Sequence, residues 1–224
     1  MQPKELSVSE LCERFRPIYL AAVSDALDRC GCRYQFLGSA IKPLKPDMKV
    51  IGPAFTVVGT GSPSLRYEGE MEKITSFCDK TSAQDVWVVE GGGGEGLIQW
   101  GELLTTACLS RKVSGAVVNG GTRDSVYISK LNFPLFVSYT SPLHPMGRWV
   151  YQDCQQPLLI NGVAINPGDF VIGDMDGVVI VPRNLVYKVL VEAEEIVRVE
   201  AKVREGLGRG AKFIEMYKMY KTPF

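Results

Sequence analysis

The chain has 224 residues, of which 46% are hydrophobic, and it carries 25 basic and 25 acidic side chains. A chain of this length can bury a large core without disulfides, so we interpret its six cysteines as reduced thiols and expect one domain over residues 1–224. The balanced charge gives no support to a nucleic-acid partner, and the mixed polar N-terminus and the lack of a long apolar run predict a cytoplasmic protein without membrane contact.

The N-terminal segment predicts one long helix. Residues 8–30 repeat apolar side chains at helical spacing, and Ser7 or Ser9 can cap the first turn. Gly31 is a typical residue after a helix end. Pro17 can divide the helix into two pieces, because proline lacks an amide hydrogen and its ring blocks the preceding turn.

The next two segments predict a strand and a helix. Residues 49–59 are rich in apolar side chains, with Gly52 and Pro53 as expected interruptions of the strand. Residues 64–84 contain a helical stretch with a loop on each side. The elements after residue 124 follow in chain order: a helix at 125–132, a strand at 134–140, short strands and turns at 162–182, and an amphipathic helix at 183–209.

The middle of the chain predicts a β-α-β unit. The apolar runs 85–90 and 115–120 are short buried strands, and residues 101–112 between them have helical periodicity. The expected buried stripe of this helix consists of Leu103, Leu104, Ala107 and Cys108. Such a crossover makes the two strands parallel, so their C-terminal ends lie at one edge of the sheet, where ligands of open α/β sheets bind.

Three features meet at this predicted edge. The glycine-rich residues 91–100 let backbone amides come close to a ligand, and the first turn of the following helix offers amides to an anion. Arg123 and Asp124 follow the second strand; a guanidinium suits a carboxylate or keto oxygen, and a carboxylate suits Mg²⁺ or Mn²⁺. Glu102 can face the same space. Taken separately, the glycines are compatible with a flexible loop, Glu102 with a side chain that complements the helix dipole, and Arg123-Asp124 is more typical of a surface ion pair or turn. Their predicted position at one edge favours a functional site.

A dinucleotide site is the alternative interpretation of the glycine loop. Residues 91–96, GGGGEG, satisfy G-x-G-x-x-G between a strand and a helix, but four consecutive glycines satisfy many patterns. The predicted helix begins several residues after Gly96, and Asn119 stands where a ribose-binding acid is expected. We therefore favour an anion and a cation over a nucleotide at this edge.

Several segments match a known pattern in the same order over nearly the whole chain. The most specific are WGELL at 100–104 and GAVVNGGTRD at 115–124; the others are VSDALDRCG at 23–31, IGPAFTV at 51–57, DVWVVEGGG at 85–93 and INPGDFVIGDMDGVVIVP at 165–182. By these segments the chain resembles the RraA-like family, which includes the class II 4-hydroxy-4-methyl-2-oxoglutarate aldolases. The family pattern places an acid before Arg-Asp, and here Glu102 stands where aspartate is usual.

The resemblance implies a role for each matching residue. Asp124 would bind a divalent cation, Mg²⁺ or Mn²⁺, and Glu102 would hold a water bound to that cation. Arg123 would hold the pyruvyl group of a 2-oxo acid substrate, and Arg123 and Glu102 are the expected catalytic side chains. The backbone amides expected to bind the same group are those of Gly101, Glu102, Leu103 and Leu104.

The resemblance also implies the architecture and the assembly. We expect an α/β chain with the swivelling β/β/α layered fold, assembled as a homotrimer or homohexamer with sites between subunits. A carboxylate on the C-terminal helix of a neighbouring subunit would reach the cation through water. Glu200 is the best match for this carboxylate, and Glu194 and Glu195 on the same helix are alternatives.

The implied activity is retro-aldol cleavage of 4-hydroxy-4-methyl-2-oxoglutarate-type 2-oxo acids to pyruvate, together with oxaloacetate decarboxylation. Both reactions develop charge on the same enolate. His144, the single histidine, is more often structural than catalytic in such a loop. The alternative function is a non-catalytic protein that binds and regulates a ribonuclease. A methyltransferase of demethylmenaquinone ranks last, because the sequence has no convincing adenosylmethionine site.

Overall fold

The structure, a computed structural model, describes residues 6–65, 69–92, 94 and 96–220. Its helices in chain order are α1 Val8–Phe15, α2 Leu20–Arg29, α3 Glu70–Lys80, α4 Glu102–Ser110, α5 Ser125–Lys130, α6 Val186–Gly208 and α7 Phe213–Tyr220. A 3₁₀ turn at Arg183–Leu185 leads directly into α6. Within these ranges, none of the helices combines the length and apolarity that crossing a bilayer requires.

The strands form one large mixed sheet and a separate hairpin. In chain order they are β1 Lys42–Pro43, β2 Val50–Gly61, β3 Val86–Glu90, β4 Ile98–Trp100, β5 Gly115–Thr122, β6 Leu135–Thr140, β7 Trp149–Cys154, β8 Leu158–Ile160, β9 Val163–Ile165, β10 Phe170–Asp174 and β11 Gly177–Val181. The large sheet follows the path β1-β6-β5-β3-β2-β10-β11, with β4 paired to β5 and β7 paired to β2. Strands β8 and β9 form an antiparallel hairpin of their own.

The predicted β-α-β unit is confirmed. Strands β3 and β5 pair in parallel, from Val86 opposite Gly115 to Glu90 opposite Asn119, and α4 lies between them in the chain. Strands β2 and β6 extend this parallel set on either side. The C-terminal ends of β3 and β5 therefore lie side by side, and the segments that follow them meet at one edge of the sheet.

The predicted N-terminal helix is divided at Pro17 into α1 and α2. Ser7 caps α1 in a capping box, in which its side chain accepts the Glu10 amide and the Glu10 carboxylate accepts the Ser7 amide. The second helix ends at Arg29, and Gly31 then adopts the left-handed region at φ 81°. This outcome confirms the expected break, the expected cap and the expected helix end.

Helices and the hairpin cover the large sheet in layers. Helices α1, α2 and α6 pack against β10 and β11 in one core cluster. Helices α3, α4 and α5 pack against β3 and β5 around Phe55 and Trp87, whose ring centroids are 5.1 Å apart. The hairpin β8-β9 packs on the alternate side chains of the same strands, including Val88 and Val117. The layering confirms the predicted α/β class.

The expectation that Gly52 and Pro53 interrupt their strand is wrong. Strand β2 continues through both residues, and Gly52 lies opposite Val171 of β10 in an antiparallel pair. A Cβ atom at Gly52 would lie 2.1 Å from the carbonyl oxygen of Gln84, so glycine permits a close approach of two backbones. The glycine therefore serves packing and does not break the strand.

Two further expectations differ from the structure. Residues 91–100, predicted as one loop, contain strand β4, which pairs with β5. Leu103, assigned to the buried stripe of α4, is 79% exposed, whereas Leu104 and Cys108 are buried as predicted. Strand β4 has only three residues, too few to show a periodic pattern in the sequence. The sequence also did not predict β7 or α7. Leu103 is exposed because the first turn of α4 lies at the open edge of the sheet.

The packing of α2 generates a stability prediction. Leu27 is 1% exposed in the cluster that joins α1, α2 and α6 to the sheet. Leu27→Ala should lower the free energy of unfolding by about 2–5 kcal/mol, because the removed methyl groups leave a cavity. Leu159→Ala, at a position that is 67% exposed in β8, is the matched control and should change it by less than about 0.5 kcal/mol. Chemical denaturation measures both, and equal losses would contradict this packing.

Candidate active site

The two turns predicted to form a site lie side by side because β4 pairs in parallel with β5. Ile98 lies opposite Gly121 and Trp100 opposite Thr122. The pairing continues one step further, since the Arg123 amide donates to the Trp100 carbonyl at 3.1 Å. Strand β4 leads into α4, and β5 leads into the Arg123-Asp124 pair. The short strand β4 therefore places the start of α4 beside the end of β5.

Asp124 is held in an uncommon backbone conformation. Its φ is 59° and its ψ is 25°, in the left-handed region that side chains other than glycine seldom adopt. It precedes α5, and its carbonyl accepts the amides of Tyr127 and Ile128. Backbone strain of this kind persists where the surrounding structure enforces it, and it concentrates at functional sites. The turn thus fixes where the Asp124 carboxylate lies.

Asp124 contacts both Arg123 and the start of α4. The Arg123 Nε lies 3.3 Å from Asp124 Oδ2, and the Glu102 amide donates to the same oxygen at 3.4 Å. Both side chains of the Arg-Asp pair are 33% exposed, so the pair is open to solvent on one side. These contacts are at the long end of hydrogen-bond distances, so the carboxylate keeps lone pairs for a further partner.

The first turn of α4 provides donors for an anion. Gly101 is the N-cap residue and offers no side chain to the first amides. The amides of Leu103 and Leu104 are in the first turn and have no acceptor within the helix. Thr105 anchors this turn, because its hydroxyl accepts the Trp100 Nε1 at 2.8 Å and donates to the Gly101 carbonyl at 3.0 Å. The amides and the positive end of the helix favour a carboxylate here.

Glu102 lies at the same turn with its carboxylate tied along the helix. Its Oε1 accepts the Thr106 hydroxyl at 2.8 Å, and the residue is half-buried. The backbone amide of Glu102, rather than its side chain, donates to Asp124. Glu102 and Asp124 therefore contact each other through the Glu102 backbone amide. The Glu102 carboxylate is instead positioned by Thr106 of α4.

These residues line a common cavity of about 330 Å³. Its wall is formed by Met71, Ile74, Thr75, Ile98, Gln99, Trp100, Gly101, Glu102, Leu103, Leu104, Ala107, Arg123, Asp124, His144, Pro145 and Tyr151. The single histidine of the chain, His144, is part of this wall. It is exposed, and its Nδ1 accepts a hydrogen bond from the Met146 amide at 3.0 Å. The lining brings together every residue predicted for the site except Glu200.

Gln99 is a structural residue of the site that the sequence did not reveal. It is 3% exposed; its Nε2 donates to the Gly91 carbonyl at 3.2 Å, and its Oε1 accepts the Gly121 amide at 2.8 Å. A Cβ at Gly120 would lie 2.1 Å from this Oε1, and one at Gly91 would lie 2.6 Å from the amide carbon. The glycines at these positions make room for Gln99, so part of the glycine pattern serves packing and not a ligand.

The acids of α6 lie away from this cavity within one chain. Glu200 accepts the Tyr19 hydroxyl and lies 3.6 Å from Arg204. Burial, together with the hydrogen bond to Glu200, raises the pKa of Tyr19 to about 12, so this phenol stays a donor at neutral pH. Glu194 and Glu195 form ion pairs with Arg14 and Arg198. The expectation that an acid from α6 of a neighbouring subunit reaches the site stays a prediction.

The donor set fits a hard divalent cation. In the part of the chain that the structure describes, no three His, Cys, Asp or Glu side chains are grouped so that they could enclose a metal. Asp124 is a carboxylate of this cavity that could hold a cation. Mg²⁺ would suit such a site, because it retains several waters and uses one or two carboxylates together with substrate oxygens. The Glu102 carboxylate belongs to the same cavity lining and could hold a water of that cation.

The comparison with protein families identifies the class of protein. Residues 20–180 match the RraA-like family, described as Aldolase/RraA. The matched region includes β2 to β10, all but the last residue of β11, and the whole cavity-forming segment from α3 to β7. The chain therefore belongs to the RraA-like family, as its sequence motifs predicted.

Individual relatives agree with this assignment. Protein DlpA of Legionella pneumophila is 33% identical over 191 residues, which are 85% of this chain and 30% of DlpA, so the chain spans less than a third of that relative's length. A protein of Halalkalibacterium halodurans named "Putative 4-hydroxy-4-methyl-2-oxoglutarate aldolase" is 31% identical over 182 residues, 81% of each chain.

A solved structure confirms the layered fold. RraAS2 of Streptomyces coelicolor is described as an unusual member of the RNase ES inhibitor RraA protein family. It matches with a TM-score of 0.79 and 24% identity, over 88% of this chain and 97% of that chain. The predicted swivelling β/β/α arrangement of this family is therefore the fold of the chain.

The close approach of Gly101 to the Arg-Asp pair generates a prediction. A Cβ at this position would lie 3.3 Å from Asp124 Oδ2 and 3.5 Å from Arg123 Cγ, and the backbone φ of −159° accepts any residue. Gly101→Leu should therefore displace the side chains of Arg123 and Asp124 and lower pyruvate binding at least tenfold, as isothermal titration measures. Gly208→Leu, where a Cβ would meet nothing within 4 Å, is the matched control. Unchanged binding in Gly101→Leu would show that pyruvate binding does not depend on this position.

Proposed function

We propose that the chain is a divalent-cation-dependent carbon–carbon lyase. Its reaction would be retro-aldol cleavage of 4-hydroxy-4-methyl-2-oxoglutarate-type 2-oxo acids to pyruvate, with oxaloacetate decarboxylation at the same site. The observation that carries this proposal is the contact of the α4 first turn with Asp124, where the Glu102 amide and Asp124 Oδ2 are 3.4 Å apart. That contact brings amide donors, a guanidinium and the partly exposed Asp124 carboxylate together in one cavity. The family description and the name of the Halalkalibacterium halodurans relative support the same class of reaction.

Substrate binding rests on the positive groups of the cavity. The carboxylate of a 2-oxo acid would accept hydrogen bonds from the amides of Leu103 and Leu104 at the start of α4. The Arg123 guanidinium, one-third exposed beside this turn, would hold the carboxylate or the keto oxygen. Two separate elements would then fix both ends of the pyruvyl group, which orients the C3–C4 bond for cleavage.

Cleavage places negative charge on the keto oxygen. The C4 hydroxyl loses its proton, the C3–C4 bond breaks, and its electron pair moves toward the 2-oxo group. Arg123 stabilises the developing charge, because a preorganised cation in a partly enclosed site interacts more strongly with it than water does. A cation held by Asp124, Mg²⁺ or Mn²⁺, would supply additional Lewis acidity when bound. Decarboxylation needs the same charge stabilisation, with carbon dioxide as the leaving group.

Glu102 is assigned to proton handling. Its Oε1 is tied to the Thr106 hydroxyl, so the side chain is held at the mouth of the cavity. We propose that it orients a water that accepts the hydroxyl proton and later returns one to C3. His144 also lines the cavity, with Nδ1 occupied by the Met146 amide.

Assembly is part of the proposal. We propose a homotrimer or homohexamer, in which Glu200 of the partner subunit approaches the cation through water. The exposed apolar side chains around the cavity support an assembly on this side, since Leu103 on α4 and Val126 and Tyr127 on α5 are each at least 65% exposed.

A protein partner is the second candidate function. The same exposed residues, Leu103, Val126 and Tyr127, could form a surface for a ribonuclease that the chain regulates without catalysis. The description of RraAS2 as a member of an RNase ES inhibitor family supports this alternative. A regulator would leave the cavity without turnover, so an activity assay separates the two functions.

The test is pyruvate release from oxaloacetate and from 4-hydroxy-4-methyl-2-oxoglutarate, with Mg²⁺, with Mn²⁺ and with EDTA. We expect turnover that EDTA abolishes. Arg123→Lys and Asp124→Asn should lower kcat/KM by about 10²–10³-fold, the usual cost of removing a group that stabilises transition-state charge. Stopped or coupled assays of pyruvate measure both effects.

Matched controls are available outside the cavity. Asp47 is exposed, and Arg209 pairs with Glu205 at the end of α6. Asp47→Asn and Arg209→Lys should leave kcat/KM within twofold of the unmodified protein. No turnover of any 2-oxo acid, together with inhibition of a ribonuclease by the purified chain, would replace the lyase by the regulator.

A further inference from the structure

We propose that Cys78 and Cys108 are a redox pair, which a hydroperoxide converts into a disulfide within one chain. The structure shows both cysteines as free thiols, so the bond would form from the reduced protein when an oxidant reaches it. Both residues lie in the interior of a single chain. The modification therefore requires neither the lyase function nor the assembly.

The two thiols are in contact beneath neighbouring helices. Cys78 lies in the last turn of α3 and Cys108 in the last turn of α4. They are 4% and 1% exposed and belong to the same core cluster. The Cys108 thiol donates a hydrogen bond to the Cys78 sulfur. Two cysteines can be bridged without a large backbone movement only where their side chains approach each other, and this pair meets that condition.

An ion pair holds the same two helix ends together on the solvent side. The Arg111 Nη2 atom lies 2.5 Å from Asp79 Oδ1, and these side chains are 36% and 61% exposed. Asp79 is the residue after Cys78, and the Arg111 amide donates to the Cys108 carbonyl at 3.1 Å. The approach of α3 to α4 at this point therefore rests on two separate contacts, one buried and one at the surface.

The two thiols differ in their readiness to react. The hydrogen bond from Cys108 lowers the pKa of Cys78, and the positive charge of Arg111 adds to this effect, although burial opposes it. The same hydrogen bond, together with burial, raises the pKa of Cys108. Because the thiolate is the nucleophilic form of cysteine, Cys78 is the residue that attacks the oxidant. Cys108 is then the residue that resolves the product.

The reaction needs one molecule of hydrogen peroxide and no other reactant. The Cys78 thiolate attacks one peroxide oxygen, the O–O bond breaks, and Cys78 becomes a sulfenic acid while hydroxide leaves and takes up the thiol proton as water. The Cys108 sulfur then attacks the Cys78 sulfur, and the sulfenic hydroxyl leaves as a second water with the Cys108 proton. Both sulfur atoms are oxidised, and both peroxide oxygens are reduced to water.

The disulfide would join the two helices behind the candidate site. It would enclose residues 79–107, which include β3, β4 and the glycine-rich stretch. Ile74 and Leu104 each precede one of the cysteines by one helical turn, and both line the cavity. The oxidation state of the pair would therefore decide whether α3 and α4 are linked covalently or only by packing and the surface ion pair.

The test treats the folded, unmodified protein with hydrogen peroxide, alkylates the remaining thiols and maps the tryptic peptides by mass spectrometry. Trypsin cleaves after lysine and arginine, so the two cysteines fall in the neighbouring peptides 74–80 and 81–111, each with one cysteine. We expect these peptides to be linked, and dithiothreitol to release them. A disulfide that joins other cysteines, or oxidation of Cys78 to a sulfinic acid with Cys108 still alkylated, would overturn the proposed pair.

Cys154 provides a matched comparison within the same molecule. It is 4% exposed, as Cys78 is, and burial raises its pKa. In the folded protein, peroxide should remove the free thiol of Cys78 at least tenfold faster than that of Cys154. In guanidinium chloride the difference should disappear, because it depends on the folded contact with Cys108. Equal rates in the folded protein would contradict the activation of Cys78.

Two variants separate the attacking thiol from the resolving one. Cys108→Ala should prevent the disulfide and leave Cys78 as a sulfenic acid, which dimedone traps and mass spectrometry detects. Cys154→Ala is the control and should leave the yield of linked peptides unchanged. An intrachain disulfide of Cys78 in the Cys108→Ala protein would place the resolving thiol elsewhere and overturn the assignment. The peptide map and the rate comparison on the unmodified protein do not depend on the folding of either variant.

Discussion

The candidate site depends on the pairing of the three-residue strand β4 with the end of β5. This pairing sets Trp100 beside Thr122 and lets the Arg123 amide donate to the Trp100 carbonyl. Gln99 holds the pair from inside through the Gly91 carbonyl and the Gly121 amide. Strand β4 leads directly into α4, and β5 leads directly into the Arg123-Asp124 turn. The pairing of β4 with β5 therefore places the first turn of α4 beside that turn. The proposed cation, substrate and proton roles all depend on that contact.

The glycine-rich stretch has a physical explanation that combines two demands. Gly91, Gly120 and Gly121 leave room for the side chains of Gln99, which is buried, and Tyr139, which is half-buried; a Cβ would lie 2.1–2.6 Å from their atoms. Gly101 instead lets the start of α4 approach Asp124, because a Cβ there would lie 3.3 Å from Asp124 Oδ2. The same residue type thus serves internal packing at the back of the site and the approach of α4 at its front. Because glycine has no Cβ, it permits both close contacts, which explains why glycines accumulate at one edge of the sheet.

The cavity divides its chemistry between two ends. The polar end has amides, a guanidinium and a carboxylate, which suit the common pyruvyl part of many 2-oxo acids. Side chains of α3 and α4, including Ile74, Leu104 and Ala107, form the apolar part of the wall. The polar and the apolar side chains of the cavity therefore come largely from different elements of the fold.

The sequence by itself determined the α/β class, the β-α-β unit and the break at Pro17, because periodicity and proline act locally. The predicted β-α-β unit also placed Glu102, Arg123 and Asp124 at one edge, and the family model confirmed the family that the motifs resemble. Only the tertiary structure decided that β4 exists, that Gly52 continues its strand, that Leu103 is exposed and that Gln99 lies buried between two loops. Those features arise from contacts between segments that are distant in the chain, and such contacts leave no periodic signal in any one segment.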